Sequence, residues 1–348
     1  MIKGAWWKYL GAALVLYSLV AGMLIPLGPG IDGVSPVALA AGERHVLTVN
    51  GYNTHYREGD MQAWLRLSAK YNLAAQQIIV QDDRTVQLTF DIPKKVPSPD
   101  TVTAVSLIVD HQQDGLSVLP SAIFLTECSP SSDDADWLLE VETAGPQYFH
   151  FPYRGRLAET IRNTYYHVPL WFGLMIVLTM SMIKAVQYLH TRDAKADHQS
   201  FGYASSGVVL GLLGLATGAL WAKHAWGAYW SFDIKQNMTA IALLIYLAYF
   251  ILRSALPDRD LAAKFSAVYN IFAFALLVPL LYIIPRMVMS LHPGAGGNPA
   301  FAGEDLDNTM RMVFYPAVVG WILLGLWMGQ VHGRLLTIQE KIHLRTTK

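Results

Sequence analysis

Thiols are nearly missing from this chain: of 348 residues one is cysteine, Cys128, so no intramolecular disulfide can close. Charge is scarce too, at 15% Asp, Glu, Lys and Arg with a formal net charge of zero, which offers no basic surface to nucleic acid. A GxxxxGK[ST] phosphate loop is also lacking. The nearest glycine run, Gly294-Ala295-Gly296-Gly297, has no lysine after it, so any ATP involved is bound by another chain. What abounds is apolar: 53% of residues are hydrophobic and the mean hydropathy is +0.30. That is a membrane composition and not a single soluble core.

Apolar runs at Tyr9–Leu27, Leu170–Tyr188, Tyr203–Trp221, Met238–Leu252, Phe265–Ile284 and Val313–Met328 come close to the roughly 20 residues a spanning helix needs. The expected fold is therefore a polytopic α-helical membrane protein of six transmembrane helices. Residues 1–30 read as an N-terminal anchor. Ala38-Leu39-Ala40 matches a leader-cleavage pattern but lies far past the apolar run, so the anchor is expected to stay uncleaved. Between residues 42 and 152 the period changes to two. Val46–Val49, Gln77–Val80, Thr85–Phe90, Val102–Val109, Ala122–Leu125 and Leu138–Glu142 are short β-rich runs broken by Asp82-Asp83, Pro97-Ser98-Pro99 and Asp114-Gly115. They predict a small antiparallel β-sandwich inserted outside the membrane. His45, His55 and His111 are scattered through it and read as surface or turn residues; partner docking is the expected role. Residues 153–348 form the remaining five-helix part.

Lys and Arg alternate between loops. Lys3 and Lys8, Arg192 and Lys195, Arg253, Arg259 and Lys264, then Arg334, Lys341, Arg345 and Lys348 fall on one side, which the positive-inside rule makes cytoplasmic. The β region, the aromatic loop after Trp221 and His292 then share the opposite, outer face. Arg154, Arg156, Arg162, Lys223, Lys235, Arg286 and Arg311 break the rule on the outer side.

One outer stretch stands apart. From Trp221 to Asp233 the chain holds three tryptophans, Trp221, Trp226 and Trp230, with Tyr229, Phe232 and a glycine hinge at Gly227. An aromatic belt accounts for part of this density. Trp226, Tyr229 and Trp230 on one short helical turn would in addition present a flat platform to a flat apolar ligand.

The run Trp226-Gly-Ala-Tyr-Trp230-Ser-Phe-Asp233-Ile-Lys235 resembles the WGxxWxWDxR signature of the haem exporter protein C (CcmC) family of cytochrome c maturation. Phe232 stands where the family usually has a third Trp, and Lys235 where it has Arg. Tyr166-His167-Val168-Pro169 resembles the family's His-Val-Pro segment, and Ser290-Leu291-His292-Pro293-Gly294 its second external histidine. The resemblance runs from about Tyr165 to the C-terminus and leaves the β region unaccounted for.

The resemblance implies a haem-handling protein and no enzyme, with no catalytic residue to name. It implies haem b, bound transiently and without covalent attachment; no CxxCH occurs in the chain. His167 and His292 are the expected axial ligands of the iron, each held at a helix edge by a nearby proline, Pro169 or Pro293. Lys235, Arg286 and Arg311 are the cations expected near the propionates, with Lys223 and His224 behind them. Asp233 is expected to cap its helix and brace the loop. Implied partners are a periplasmic haem chaperone and the ATP-binding transporter subunits of the maturation complex, besides the lipid bilayer. His190 and His332 sit at cytoplasmic span ends, and no histidine lies in mid-membrane as a di-haem cytochrome requires. The rival readings are a membrane redox subunit that retains haem as an electron carrier, and a sensor whose β region binds ligand.

Overall fold

The computed structural model describes residues 4–68, 70–130, 135–137, 149–153, 155, 157–292 and 306–346. The expected strand Leu138–Glu142, Arg154, Arg156, Lys3, Lys348 and Pro293-Gly294 lie outside the described residues. The chain divides into two compact units, Met1–Leu24 with Arg162–Lys348, and Ile25–Ile161.

In the helical unit, α1 (Trp6–Leu24) is followed by a short α2 (Asn163–Tyr166), then α3 (Val168–Thr191), α4 (Ala194–Trp226), α5 (Ile234–Ala255) and α6 (Arg259–Val278). A π-helical turn at Pro279–Ile283 leads into α7 (Ile284–Met287), and α8 (Asn308–Thr346) completes the unit. Six helical stretches are long and apolar enough to cross a membrane among the described residues. Five of them run past the expected apolar run at both ends, while α1 starts earlier and stops three residues short of Leu27. At the starts of α4 and α6 a carboxylate caps the helix. Asp193 accepts from Lys195 N (3.0 Å) to start α4, and Asp258 accepts from Asp260 N and Leu261 N (both 2.9 Å) to start α6.

Close packing follows from glycine on α4. A Cβ on Gly211 would meet Leu243 and Leu174, and one on Gly214 would meet Trp171 at 2.6 Å. With bare backbone there, α3 settles into the face of α4, the small-residue packing of membrane helices. A buried polar knot adds to it: Asn270 of α6 donates to Ser181 Oγ of α3 (2.7 Å) and Ser200 Oγ of α4 (3.0 Å).

The second unit is a two-sheet β-structure. One sheet has the order β1 (Gly30–Ser35), β3 (Arg44–Tyr52), β7 (Thr85–Asp91), β6 (Gln77–Val80). The other runs β2 (Ala38–Ala40), β10 (Gly115–Thr126), β9 (Thr103–His111), β4 (Met61–Arg66), β5 (Asn72–Ala74). A two-stranded pair joins β8 (Lys95–Val96) and β11 (Ser129–Pro130). Leu47, Val49, Leu88 and Phe90 from the first sheet and Leu65, Leu107 and Ile123 from the second share one core, as a sandwich requires.

Two expectations need correction. The sandwich is not wholly antiparallel: β2 pairs parallel with β10, strands separated along the chain by β3 to β9 and so not tied to the antiparallel order a hairpin turn imposes. Nor are its histidines all scattered at the surface. His111 is buried at 1% exposure, and His55 and His111 both engage buried Asp114, at 2.8 and 3.2 Å. Their separation of 56 positions in the chain hides a contact made by the β9–β10 turn. The Asp114 hydrogen bond raises the pKa of His55 above its ordinary value, with burial working the other way and the charges of Asp114, Glu58 and Asp83 adding to the rise. A raised histidine pKa stabilises the fold fully below the unfolded value of about 6.5, and that contribution disappears as pH climbs through the folded value. His55→Ala should therefore lower the melting temperature of the full chain more at pH 6 than at pH 9. Equal losses at both would show the ion pair to be inert.

Cys128, 5% exposed, has its thiol pKa pushed up chiefly by burial, so it is inert packing.

Candidate functional site

Most of the expected site residues lie where α3 and α5 begin and where α4 and α7 end, and Arg311 lies at the start of α8. His167 immediately precedes α3, with Pro169 in the first turn. Trp221 and Trp226 lie on the last turns of α4, which stops at Gly227 in the left-handed region (φ 82°) with its N–H returned to Lys223 O at 3.1 Å. Trp226, Tyr229 and Trp230 therefore do not share a helical turn as expected: glycine ends the helix between them. Instead Trp221 and Trp226 meet edge-on at 4.9 Å, and the imidazole of His292 sits 5.9 Å from the first and 4.8 Å from the second. Tyr229 and Phe232 are exposed, at 58% and 78%. Phe232 itself adopts φ 56°, an uncommon strain for a bulky residue, and turns the chain into the start of α5. Trp230 donates to Asn237 Oδ1 (3.2 Å), while Gln236 Oε1 accepts from Ser231 N (2.9 Å).

Asp233 organises this loop. Its carboxylate caps α5 by accepting from Lys235 N (2.9 Å) and reaches across to accept from Leu291 N (2.8 Å), Ser290 Oγ (3.1 Å) and His292 Nδ1 (2.9 Å). Burial pushes the carboxyl pKa up, but these hydrogen bonds and the nearby imidazole outweigh it and hold the group below the usual carboxylate range. An ionised carboxylate only accepts, so His292 Nδ1 carries the proton and Nε2 presents its lone pair. Burial is the main cause that lowers the pKa of His292; Asp233 opposes it and Lys235 adds to it. A neutral, ligand-ready imidazole results.

His167 reaches the same tautomer by a different route. Trp171, one turn along α3, donates its indole N–H to His167 Nε2 at 3.1 Å. Indole cannot accept, so Nε2 holds the lone pair and Nδ1 the proton. Nδ1 in turn meets Thr217 Oγ1 (3.1 Å), whose own proton is directed to the α4 carbonyls of Leu213 (2.9 Å) or Gly214 (3.0 Å). Gly218 makes room, since a Cβ there would stand 2.7 Å from the imidazole. The two histidines are near enough for their charges to interact.

Among the cations, Lys235 lies within electrostatic reach of His292 and of Arg286. Lys223 turns back to Gly227 O (2.9 Å) and lies 5.7 Å over Tyr229. Arg311 sits in the first turn of α8 and donates to Asn308 Oδ1 at 3.1 Å. Sequence reasoning passed over Trp171, Thr217, Gly218 and Gln236. Of these only Trp171 carried a signal, four residues after His167 at helical spacing.

Fold and site together define a polytopic helical membrane unit that presents two neutral imidazoles beside a tryptophan wall at one end of its helices. Residues 138–348 match the family described as Heme exporter protein C, and the chain belongs to that family. It is 28% identical to Heme exporter protein C of Haemophilus influenzae over 185 residues, which cover 52% of this chain and 73% of that one. The corresponding protein of Paracoccus denitrificans is 27% identical over 186 residues, 53% of this chain and 74% of the relative. That of Escherichia coli K12 is 24% identical over 181 residues, 52% and 72%.

Proposed function

We propose that this chain binds haem at the periplasmic face of the inner membrane and passes it to a haem chaperone during cytochrome c maturation, beside ATP-binding transporter subunits. Haem is substrate here. His167 and His292 are the axial ligands through Nε2; Trp221 and Trp226 wall the ring, and Lys235 and Arg286 attract the propionates. The observation that carries this is the shared tautomer: each imidazole has its Nδ1 proton directed to a fixed oxygen, so that the Nε2 lone pair is the one turned to a metal, in exchange for the Trp171 indole N–H at His167.

Delivery needs release, and the two histidines differ in a way that suits it. His292 Nε2 has no hydrogen-bond partner among the described residues, whereas that of His167 receives the Trp171 indole N–H. When haem leaves, Trp171 satisfies the His167 Nε2 it vacates, so in the empty state that acceptor is not left unpaired. A resident electron carrier gains nothing from such an arrangement. Full-length protein loaded with haem should lose it to an added apo-acceptor protein, seen as movement of the Soret absorption to the acceptor. Haem that stays bound and cycles reversibly between oxidation states would favour the redox subunit instead.

A further inference from the structure

At the other end of the helices, where α3 and α5 finish and α4 and α6 start, lies a cavity of about 950 Å³ that is also walled by the late turns of α8. Its size is that of a small-molecule site. Four cations line it, Arg192, Arg253, Arg259 and Lys264, against three carboxylates, Asp197, Asp260 and Glu340. One of the four is already engaged. Arg253 donates to both oxygens of buried Asp197, one at 2.7 Å, and its guanidinium lies 4.9 Å over the ring of Phe201. Glu340 faces His198 at 3.8 Å. Arg259 and Lys264 make no ion pair with any described residue, and Arg192 rests on the face of Tyr188 at 5.7 Å. Beside these cations the wall is apolar, with Phe201, Phe250 and Leu336.

We infer that this cavity binds the phosphate headgroup of an anionic phospholipid, with Arg192, Arg259 and Lys264 as its cationic contacts and the apolar wall against the acyl chains. A basic pocket between membrane helices at the level of the headgroups is suited to this class of ligand. Guanidinium forks match phosphate oxygens two at a time, and the lysine adds a point charge. The Arg253–Asp197 pair is reserved for joining α5 to α4, so it keeps the cavity in shape and takes no part in the headgroup contact. Haem has the same broad chemistry, carboxylates on an apolar body, and is the rival source of the anion.

The test uses the full chain in nanodiscs of phosphatidylcholine with and without one-fifth phosphatidylglycerol, the lipids that stay bound after extraction being counted by native mass spectrometry. Wild type should retain phosphatidylglycerol over phosphatidylcholine. The triple variant Arg192→Gln/Arg259→Gln/Lys264→Gln should lose that preference by roughly 100-fold, the sum of three surface cations. The charge-keeping variant Arg259→Lys/Lys264→Arg should retain it, which separates loss of charge from loss of fold. Equal retention of both lipids by wild type, or an undiminished preference in the triple variant, would overturn the inference. So would haem that displaces phosphatidylglycerol from wild type and fails to bind the triple variant at this end, since the anion would then be haem.

Discussion

The double variant His167→Ala/His292→Ala is expected to carry almost no haem when purified from cells that load the wild type. In the proposed reading each imidazole supplies one iron ligand, and among the described residues no cluster of three or more His, Cys, Asp or Glu is placed to hold a metal instead. The loss should exceed the roughly 10–100-fold that removal of a supporting residue costs a metal site. The single variants should differ. His292 stands on a loop and touches Trp221 and Trp226, so its loss disturbs little packing. His167 accepts the Trp171 indole N–H and donates to Thr217 Oγ1, so its removal strands a donor on α3 and takes a donor away from the Thr217 hydroxyl on α4, at about 1–3 kcal/mol for each buried group left unpaired. A lower melting temperature for His167→Ala than for His292→Ala, with both proteins inserted, is the expected pattern.

Asp233→Ala should be nearly as damaging to haem binding although Asp233 touches no iron. It removes the cap of α5, at about 0.5–2 kcal/mol, and with it three hydrogen bonds that hold Ser290, Leu291 and His292. Haem affinity should fall roughly 10–100-fold. Asp233→Asn separates the two roles. Asparagine caps a helix as well as aspartate does, yet its amide nitrogen cannot accept from Leu291 N as the lost oxygen did. A smaller loss of melting temperature than in Asp233→Ala, together with weakened haem binding, is expected of it. Affinity unchanged in both variants would show that His292 is positioned by something else.

Much of this was legible in residue order because membrane helices announce themselves by long apolar runs, and because Asp233 and Pro169 sit where cap chemistry puts them. The bounds were not, since α4 and α8 extend through polar residues whose packing partners are distant. Gly227 was read as a hinge inside an aromatic turn; its left-handed φ instead ends the helix and sends Trp226 and Trp230 different ways. The reach of Asp233 to His292 spans 59 positions, and the pairing of His55 and His111 through Asp114 likewise depends on strand register. No local pattern encodes such contacts. Trp171 was the exception: its spacing from His167 showed that the two could touch, but not that the indole would take the nitrogen an iron ligand needs.

The most direct measurement is the near-infrared magnetic circular dichroism of ferric haem bound to the full chain at neutral pH. Two neutral imidazoles from His167 and His292 should give a six-coordinate, low-spin spectrum with the charge-transfer band of bis-histidine ligation, and His292→Ala should abolish it. A five-coordinate spectrum from the wild type, or a bis-histidine band that survives the loss of both His167 and His292, would contradict the assignment.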